Sequence, residues 1–138
     1  MQRLLGIDYG HRRIGLALSD PLGITAQPLE VLERVSLKED FARIAAIVAK
    51  YGVEKIVLGL PINMNGTESG LTSDVRRFAE ELRESVALPV EFIDERLTTM
   101  QAERMLVEEA DMSREKRKKV RDKLAASLIL QSYMDQNP

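Results

Sequence analysis

The run Lys55-Ile56-Val57-Leu58-Gly59-Leu60 is apolar at every position after the lysine. A strand wetted on one face alternates apolar and polar residues. A continuous run means burial on both faces, as in a central strand of a parallel sheet. Helical patterns flank it. Ser36-Leu37-Lys38-Glu39 has the form of a capping box, with Phe41, Ile44, Ala45 and Val48 at helical spacing behind it and Gly52 as a stop. On the far side Val75, Phe78, Ala79 and Leu82 make a second amphipathic face, and Val90–Ile93 follows Pro89 as another strand. Strand–helix–strand units of this kind close as right-handed parallel crossovers.

The N-terminal stretch adds a different element. Leu4-Leu5-Gly6-Ile7 ends in Asp8, the turn Tyr9-Gly10-His11-Arg12-Arg13 follows, and Ile14 to Leu18 leads away. Two short apolar runs around a glycine-bearing turn predict a hairpin. Thr25–Val31 is a third extended segment, and Pro28, which has no amide hydrogen to donate, puts it at a sheet edge. Thr98 and Gln101 repeat the capping-box pattern ahead of Ala102, Met105 and Leu106. Asp111–Ser113 breaks that helix, and a last helix runs from about Glu115 to Tyr133. The expected architecture is a mixed five-stranded α/β sheet with helices on both faces, residues 1–138 forming one domain.

Bulk properties narrow the class. A chain of 138 residues buries an ordinary core without staples. With no cysteine, neither disulfides nor thiolate metal sites are available. No apolar run reaches the length of a membrane span, and the first residues carry no signal-peptide pattern, so the expected location is the cytoplasm, away from membranes. The net charge of −2 is not that of a generally basic nucleic-acid binder, yet Arg114-Glu115-Lys116-Arg117-Lys118-Lys119-Val120-Arg121-Asp122-Lys123 concentrates positive charge in one place. Tryptophan is absent and aromatics are few, so backbone recognition suits this chain better than base stacking.

In an open sheet, ligands bind beyond the carboxyl ends of the parallel strands. Asp8 ends the first strand there, Asp94 and Glu95 end the fifth, and the loop Pro61–Gly70 enters a helix whose N-terminus is a natural phosphate site. Asp122 lies one helical turn before Ala126, on or beside the inward stripe that continues through Ile129 and Tyr133. Asp8, Glu95 and Asp122 converge on one pocket, where their mutual repulsion calls for a cation. Oxygen donors select Mg2+ or Mn2+. Two such ions about 4 Å apart would activate water and stabilise the leaving oxygen of a phosphodiester. The candidate contacts to nucleic acid are Arg12, Arg13, Asn65, Arg96, Lys116, Arg117, Lys119 and Lys123. His11, alone in a turn, receives no catalytic role.

Four motifs in order carry a resemblance across essentially the whole chain. They are Gly6-Ile7-Asp8-Tyr9-Gly10 with Arg13-Ile14-Gly15, Gly59-Leu60-Pro61 with Asn65-Gly66-Thr67, Asp94-Glu95-Arg96-Leu97-Thr98-Thr99, and Asp122 with Ala125-Ala126. Together they resemble the YqgF family. The resemblance implies a ribonuclease H-like fold with strand order 3-2-1-4-5, strand 2 antiparallel, and Asp8, Glu95 and Asp122 as an acidic triad. It implies a metal-dependent endonuclease that processes the 5' end of precursor 16S ribosomal RNA, monomeric or weakly dimeric. The alternative within the class is a Holliday junction resolvase acting on branched DNA, which has to be a stable dimer to cut two symmetric strands. Outside it stand a non-catalytic nucleic-acid-binding module and a nucleotide-binding relative of the actin-like ATPases, the latter requiring a second copy of the fold. The better-studied junction resolvases carry a glutamate where this chain reads Gly59-Leu60-Pro61.

Phosphate contacts release counterions, so binding to nucleic acid is expected to fall steeply with salt and to vary little with sequence. Neutralising Lys116, Arg117, Lys118 and Lys119 together should weaken affinity and flatten the log–log salt slope by roughly one for each contact removed. An unchanged slope would make the run a solvated face with no part in binding.

Overall fold

A computed structural model describes residues 2–96 and 114–138, with side chains of the last helix described from Leu124 onward. The elements are β1 (Leu4–Tyr9), β2 (Arg13–Ser19), β3 (Ala26–Glu33), α1 (Leu37–Tyr51), β4 (Lys55–Leu60), α2 (Gly70–Val86), β5 (Val90–Asp94) and α3 (Arg114–Gln136). The helix expected after Thr98 lies outside the described residues. The strands form one sheet in the order β3-β2-β1-β4-β5. β1 pairs β2 antiparallel and β4 parallel, and β4 pairs β5 parallel. β3 is the edge strand that Pro28 predicts. Its pairing with β2 jumps from Leu16↔Glu30 to Ala17↔Pro28, a bulge beside the residue that cannot donate.

The helix ends follow local chemistry. Ser36 Oγ accepts the Glu39 amide at 3.2 Å, and Gly52 closes α1 at φ 65°, its amide bonded to the Val48 carbonyl. α2 begins with a reciprocal box in which Ser69 Oγ accepts from the Thr72 amide and Thr72 Oγ1 accepts from the Ser69 amide. The buried Thr72 hydroxyl also donates to the Pro61 carbonyl, tying the helix start to the end of β4.

Strand residues alternate between two faces. Leu5 and Ile7 of β1, Ile56, Leu58 and Leu60 of β4, and Val90 of β5 join Ile44 and Ile47 of α1 and Val75, Phe78 and Leu82 of α2 in one cluster. Val57 and Ile93 join Ala126, Ile129, Leu130, Tyr133 and Met134 of α3 on the other. α3 lies close to the sheet. A Cβ on Gly6 would stand 2.7 Å from Leu130 Cβ and 3.0 Å from the Ala126 carbonyl. The helix runs against the direction of β4. Ile129 sits over Gly59, near the strand's end. Lys55 Nζ, at its start, reaches the Tyr133 hydroxyl at 3.2 Å, and that hydroxyl donates to Glu91. The N-terminal half of α3 therefore lies toward the carboxyl ends of β1, β4 and β5. Among the described residues no helix is long and apolar enough to cross a membrane.

The β1–β2 turn is clamped from the other face. Asp40, fully buried in the first turn of α1, accepts from Arg34 Nε at 3.1 Å and from the Val35 amide at 3.2 Å. Arg34 in turn donates to the Gly10 carbonyl at 3.2 Å and stacks 4.9 Å from the Tyr9 ring centroid. Gly10 has no room for a side chain, since a Cβ would meet the Arg13 carbonyl at 2.6 Å. Removing one partner of a buried ion pair leaves the other uncompensated. Asp40→Ala is expected to lower unfolding stability by about 3–5 kcal/mol. Urea denaturation measures this, and a loss within about 0.5 kcal/mol, the range of an ordinary surface change, would mean other contacts hold the turn.

Candidate active site

Period-2 alternation decides which side chains share the α3 face. On β1 that face takes Leu4, Gly6 and Asp8, because Leu5, Ile7 and Tyr9 belong to the opposite cluster. On β4 it takes Val57 and Gly59. On β5 it takes Glu91 and Ile93, and the next residue of that parity is Glu95. The Glu95 amide still bonds to the Leu60 carbonyl at 3.3 Å, so the ladder carries its parity one residue past β5. Glu95 Oε2 lies 2.6 Å from where a Cβ on Gly59 would stand, beside Ile129 of α3. The structure thus brings Asp8 and Glu95 to one face at the carboxyl edge of β1 and β5, the two strands that flank β4. Asp122 lies within α3, one turn before Ala126, and its side chain is outside the described residues. The same holds for Lys116, Arg117, Lys119 and Lys123.

Asp94 has the opposite parity and a different role. Its carboxylate accepts from the Arg96 amide at 3.0 Å and from Arg96 Nε at 2.8 Å. The Arg96 hydrogen bond holds the Asp94 carboxyl below the ordinary carboxylate range, whereas burial first, and the Asp94 charge second, push the Glu95 carboxyl above it. Two neighbouring carboxyls are driven apart by their surroundings, a pattern that marks functional sites.

The loop between β4 and α2 is a braced turn. The Asn63 amide bonds to the Thr67 carbonyl at 2.9 Å and the Gly66 amide to the Asn63 carbonyl at 2.8 Å, with Gly66 at φ 86°. Asn65 Oδ1 accepts from both the amide and the hydroxyl of Thr67. Arg96 Nη1 reaches the Met64 carbonyl at 3.4 Å, so Arg96 joins the end of β5 to this loop, and a phosphate has to compete with Asp94 for it. Arg12 is exposed in the hairpin turn, and Arg13 donates to Glu33 at 2.9 Å. His11 bonds to Asp74 of α2 at 2.9 Å, bracing the hairpin.

Asp40 and Arg34 enter the site's framework without having been singled out by sequence, and Gly59 was named only within the Gly59-Leu60-Pro61 motif. Asp40 reads as one more acidic residue of a helix first turn, and nothing in the spacing marks it as buried. Gly59 reads as part of an apolar strand.

Residues 2–136 match the RuvX family, described as Holliday junction resolvase. The chain belongs to this family. A protein of Caldanaerobacter subterraneus subsp. tengcongensis is 55% identical over 133 residues, covering 96% of each chain. One of Endomicrobium trichonymphae is 54% identical over 135 residues, covering 98% of this chain and 96% of the other. Both are described as "Putative pre-16S rRNA nuclease". The solved structure of T. thermophilus RuvC in complex with Holliday junction substrate matches at a TM-score of 0.57 and 15% identity, covering 98% of this chain and 97% of that one. At that identity the likeness is one of fold, and the fold is ribonuclease H-like.

The donor set suits a divalent cation. Asp8 and Glu95 offer hard oxygens on one face, and the cradle over Gly59 holds the second carboxylate in a half-buried position where a cation offsets the cost of its charge. Glu95→Gln is expected to weaken Mn2+ binding by at least tenfold while leaving the metal-free protein as stable as wild type or more so. Asp94→Asn is expected to keep Mn2+ affinity and to cost no more than about 1 kcal/mol, since the Asp94–Arg96 pair is over a third exposed and solvent-screened. Calorimetric titration beside thermal melts decides between them, and the reverse pattern would assign the ligand to Asp94.

Proposed function

We propose that the chain is a divalent-cation-dependent endonuclease that hydrolyses phosphodiester bonds in structured RNA, trimming the 5' end of precursor 16S ribosomal RNA in the cytoplasm. The observation that carries this reading is the placement of Asp8 and Glu95 on one face at the carboxyl edge of β1 and β5. The names of relatives more than half identical over nearly the whole chain support the RNA substrate.

Asp8, Glu95 and Asp122 would hold Mg2+ or Mn2+. The bound ion supplies Lewis-acid charge at the phosphate and lowers the pKa of coordinated water. The protein's own part is positional. The β1 ladder fixes Asp8 through its pairing with Gly15, and the clamp of Arg34 on Gly10 holds the turn just beyond it. Ion-pairing to Arg96 keeps Asp94 out of the pocket, while burial keeps Glu95 where a cation is its best partner. The exposed Arg12 and the carboxamide nitrogen of Asn65 stand at the same edge for contacts to the nucleic-acid backbone. Lys116, Arg117, Lys119 and Lys123 extend those contacts along α3.

The family description and the fold shared with a junction-bound RuvC support a second substrate, branched DNA. One experiment separates the two. The pure protein is incubated with Mg2+ or Mn2+ and with precursor ribosomal RNA, a linear duplex or a four-way junction, and its mass in solution is measured. Preferred cleavage of the RNA by a monomer is the expected result; symmetric cutting of the junction by a dimer would transfer the assignment to DNA. Asp8→Asn is the control. It is expected to abolish cleavage with folding intact or improved, because the substitution removes a ligand and relieves repulsion between carboxylates. An active Asp8→Asn protein would remove Asp8 from the mechanism.

A further inference from the structure

We propose that Gly59 is a positioning residue: its bare Cα at the end of β4 is the seat that holds the Glu95 carboxylate on the α3 face. The inference deepens the metal-dependent reading above and rests on it.

Gly6 and Gly59 both lie under α3, and they are covered differently. The atoms nearest to a Cβ on Gly6 belong to Leu130 and the Ala126 carbonyl, so that glycine makes room for helix packing. Above Gly59 two different groups compete for the space of one methyl. Ile129 Cδ1 lies 2.5 Å and Glu95 Oε2 2.6 Å from the position a Cβ would take, with Ile129 Cγ1 at 3.1 Å. Real Cβ contacts essentially never fall below 3.0 Å, so an alanine here must displace both the apolar tip and the carboxylate. Gly59 lies in regular β4 and is not among the residues of positive φ, so the position calls for glycine because of space and not backbone conformation.

The carboxylate has little freedom to step aside and stay in place. The Glu95 backbone is bonded to Leu60 at 3.3 Å and flanked by Asp94, whose own carboxylate is bonded to the Arg96 amide. A methyl on Gly59 therefore has to be accommodated by rotating the Glu95 side chain, which moves its oxygens off the face they share with Asp8. The structure uses an empty position on one strand to place a carboxylate that belongs to the next.

The two clashes are separable by mutation. Ile129→Val deletes Cδ1, the nearer apolar atom, and keeps the rest of the contact. Four proteins are compared: wild type, Gly59→Ala, Ile129→Val and the double variant. Thermal melts are recorded without metal, Mn2+ is titrated by calorimetry, and cleavage is assayed on the preferred substrate. Gly59→Ala is expected to melt lower and to bind Mn2+ roughly 10–100-fold more weakly, the usual cost of losing a group that orients a ligand. The double variant is expected to recover the melting temperature of Ile129→Val while its Mn2+ affinity and turnover stay low. Recovery of Mn2+ affinity together with stability would make Gly59 a packing residue for Ile129 and overturn the proposal. So would a Gly59→Ala protein that binds Mn2+ as wild type does. A wild-type protein that binds no Mn2+ and cuts nothing overturns the metal-dependent reading itself, and this inference with it.

Discussion

The close approach of α3 to the sheet is the constraint on which the site depends. At Gly6 the Leu130 Cβ and the Ala126 carbonyl come to within 2.7 and 3.0 Å of where a side chain would begin, and at Gly59 the Ile129 tip does the same. Helix and sheet interlock because β1 and β4 each give up a side chain on that face. With Ala126 and Leu130 fully buried, the axial position and rotation of the helix are fixed by close packing. Its antiparallel course then determines which residues reach the carboxyl edge. One turn of helix before Ala126 brings the backbone of Asp122 toward the level of Asp8, two residues beyond Gly6 on β1. A bulkier residue at Gly6 or Ala126 would push the helix off and disturb that alignment.

The opposite face supplies stiffness where α3 supplies proximity. Asp40 and Arg34 are a buried and a largely buried charge, at 0% and 16% side-chain exposure, and desolvating them is costly. The cost is offset because no charge is left with a single partner. Asp40 takes a backbone amide as well as the guanidinium, and Arg34 takes the Gly10 carbonyl and the faces of Tyr9 and Phe78 as well as the carboxylate. An apolar pair of equal volume would fill the space but would not grip the Gly10 carbonyl. The ion pair therefore serves to fix one conformation of the hairpin turn next to Asp8, more than to add net stability.

Much of this was legible in the sequence, for identifiable reasons. The continuous apolarity of Ile56–Leu60 announced a strand buried between helices, and Pro28 announced an edge. The first is a side-chain pattern and the second a missing backbone donor, and neither depends on what the rest of the chain does. The preference for Glu95 over Asp94 rested on the family motif, and the structure adds the strand parity, which extends one residue beyond β5 and puts Glu95 on the α3 face. What sequence did not expose was partly local side-chain pairing and partly contacts between elements. The loop ending at Gly70 gave the start of α2, but its Ser69 cap was hidden because Thr72, instead of the usual glutamate or glutamine, completes the box. Asp40 looked like any acidic residue in a helix first turn, because its burial depends on Arg34 arriving from β3. Arg96 looked like a free cation for phosphate, and its engagement by Asp94 two residues earlier is a matter of local turn geometry. Gly59 stood out only as part of the Gly59-Leu60-Pro61 motif, and nothing in that motif shows that its bare Cα makes room for a carboxylate from the next strand.

The pair Asp94–Glu95 shows how one turn of chain yields two kinds of carboxylate. Both leave the end of β5, one peptide apart, yet alternation sends them to opposite faces. Asp94 meets a guanidinium and a backbone amide within two residues of itself, so its charge is stabilised locally and its acidity rises. Glu95 meets Ile129 and the bare edge of Gly59, so burial raises its proton affinity, and the fixed charge of Asp94 raises it further. A carboxylate in such a place is ionised at a cost that a divalent cation removes, which makes a cation its natural partner. Without Arg96 the Asp94 charge would lose its local partner, yet alternation would still keep it on the face opposite Glu95. The Arg96 contact therefore settles Asp94 locally, while the ladder alone puts Glu95 on the face it shares with Asp8.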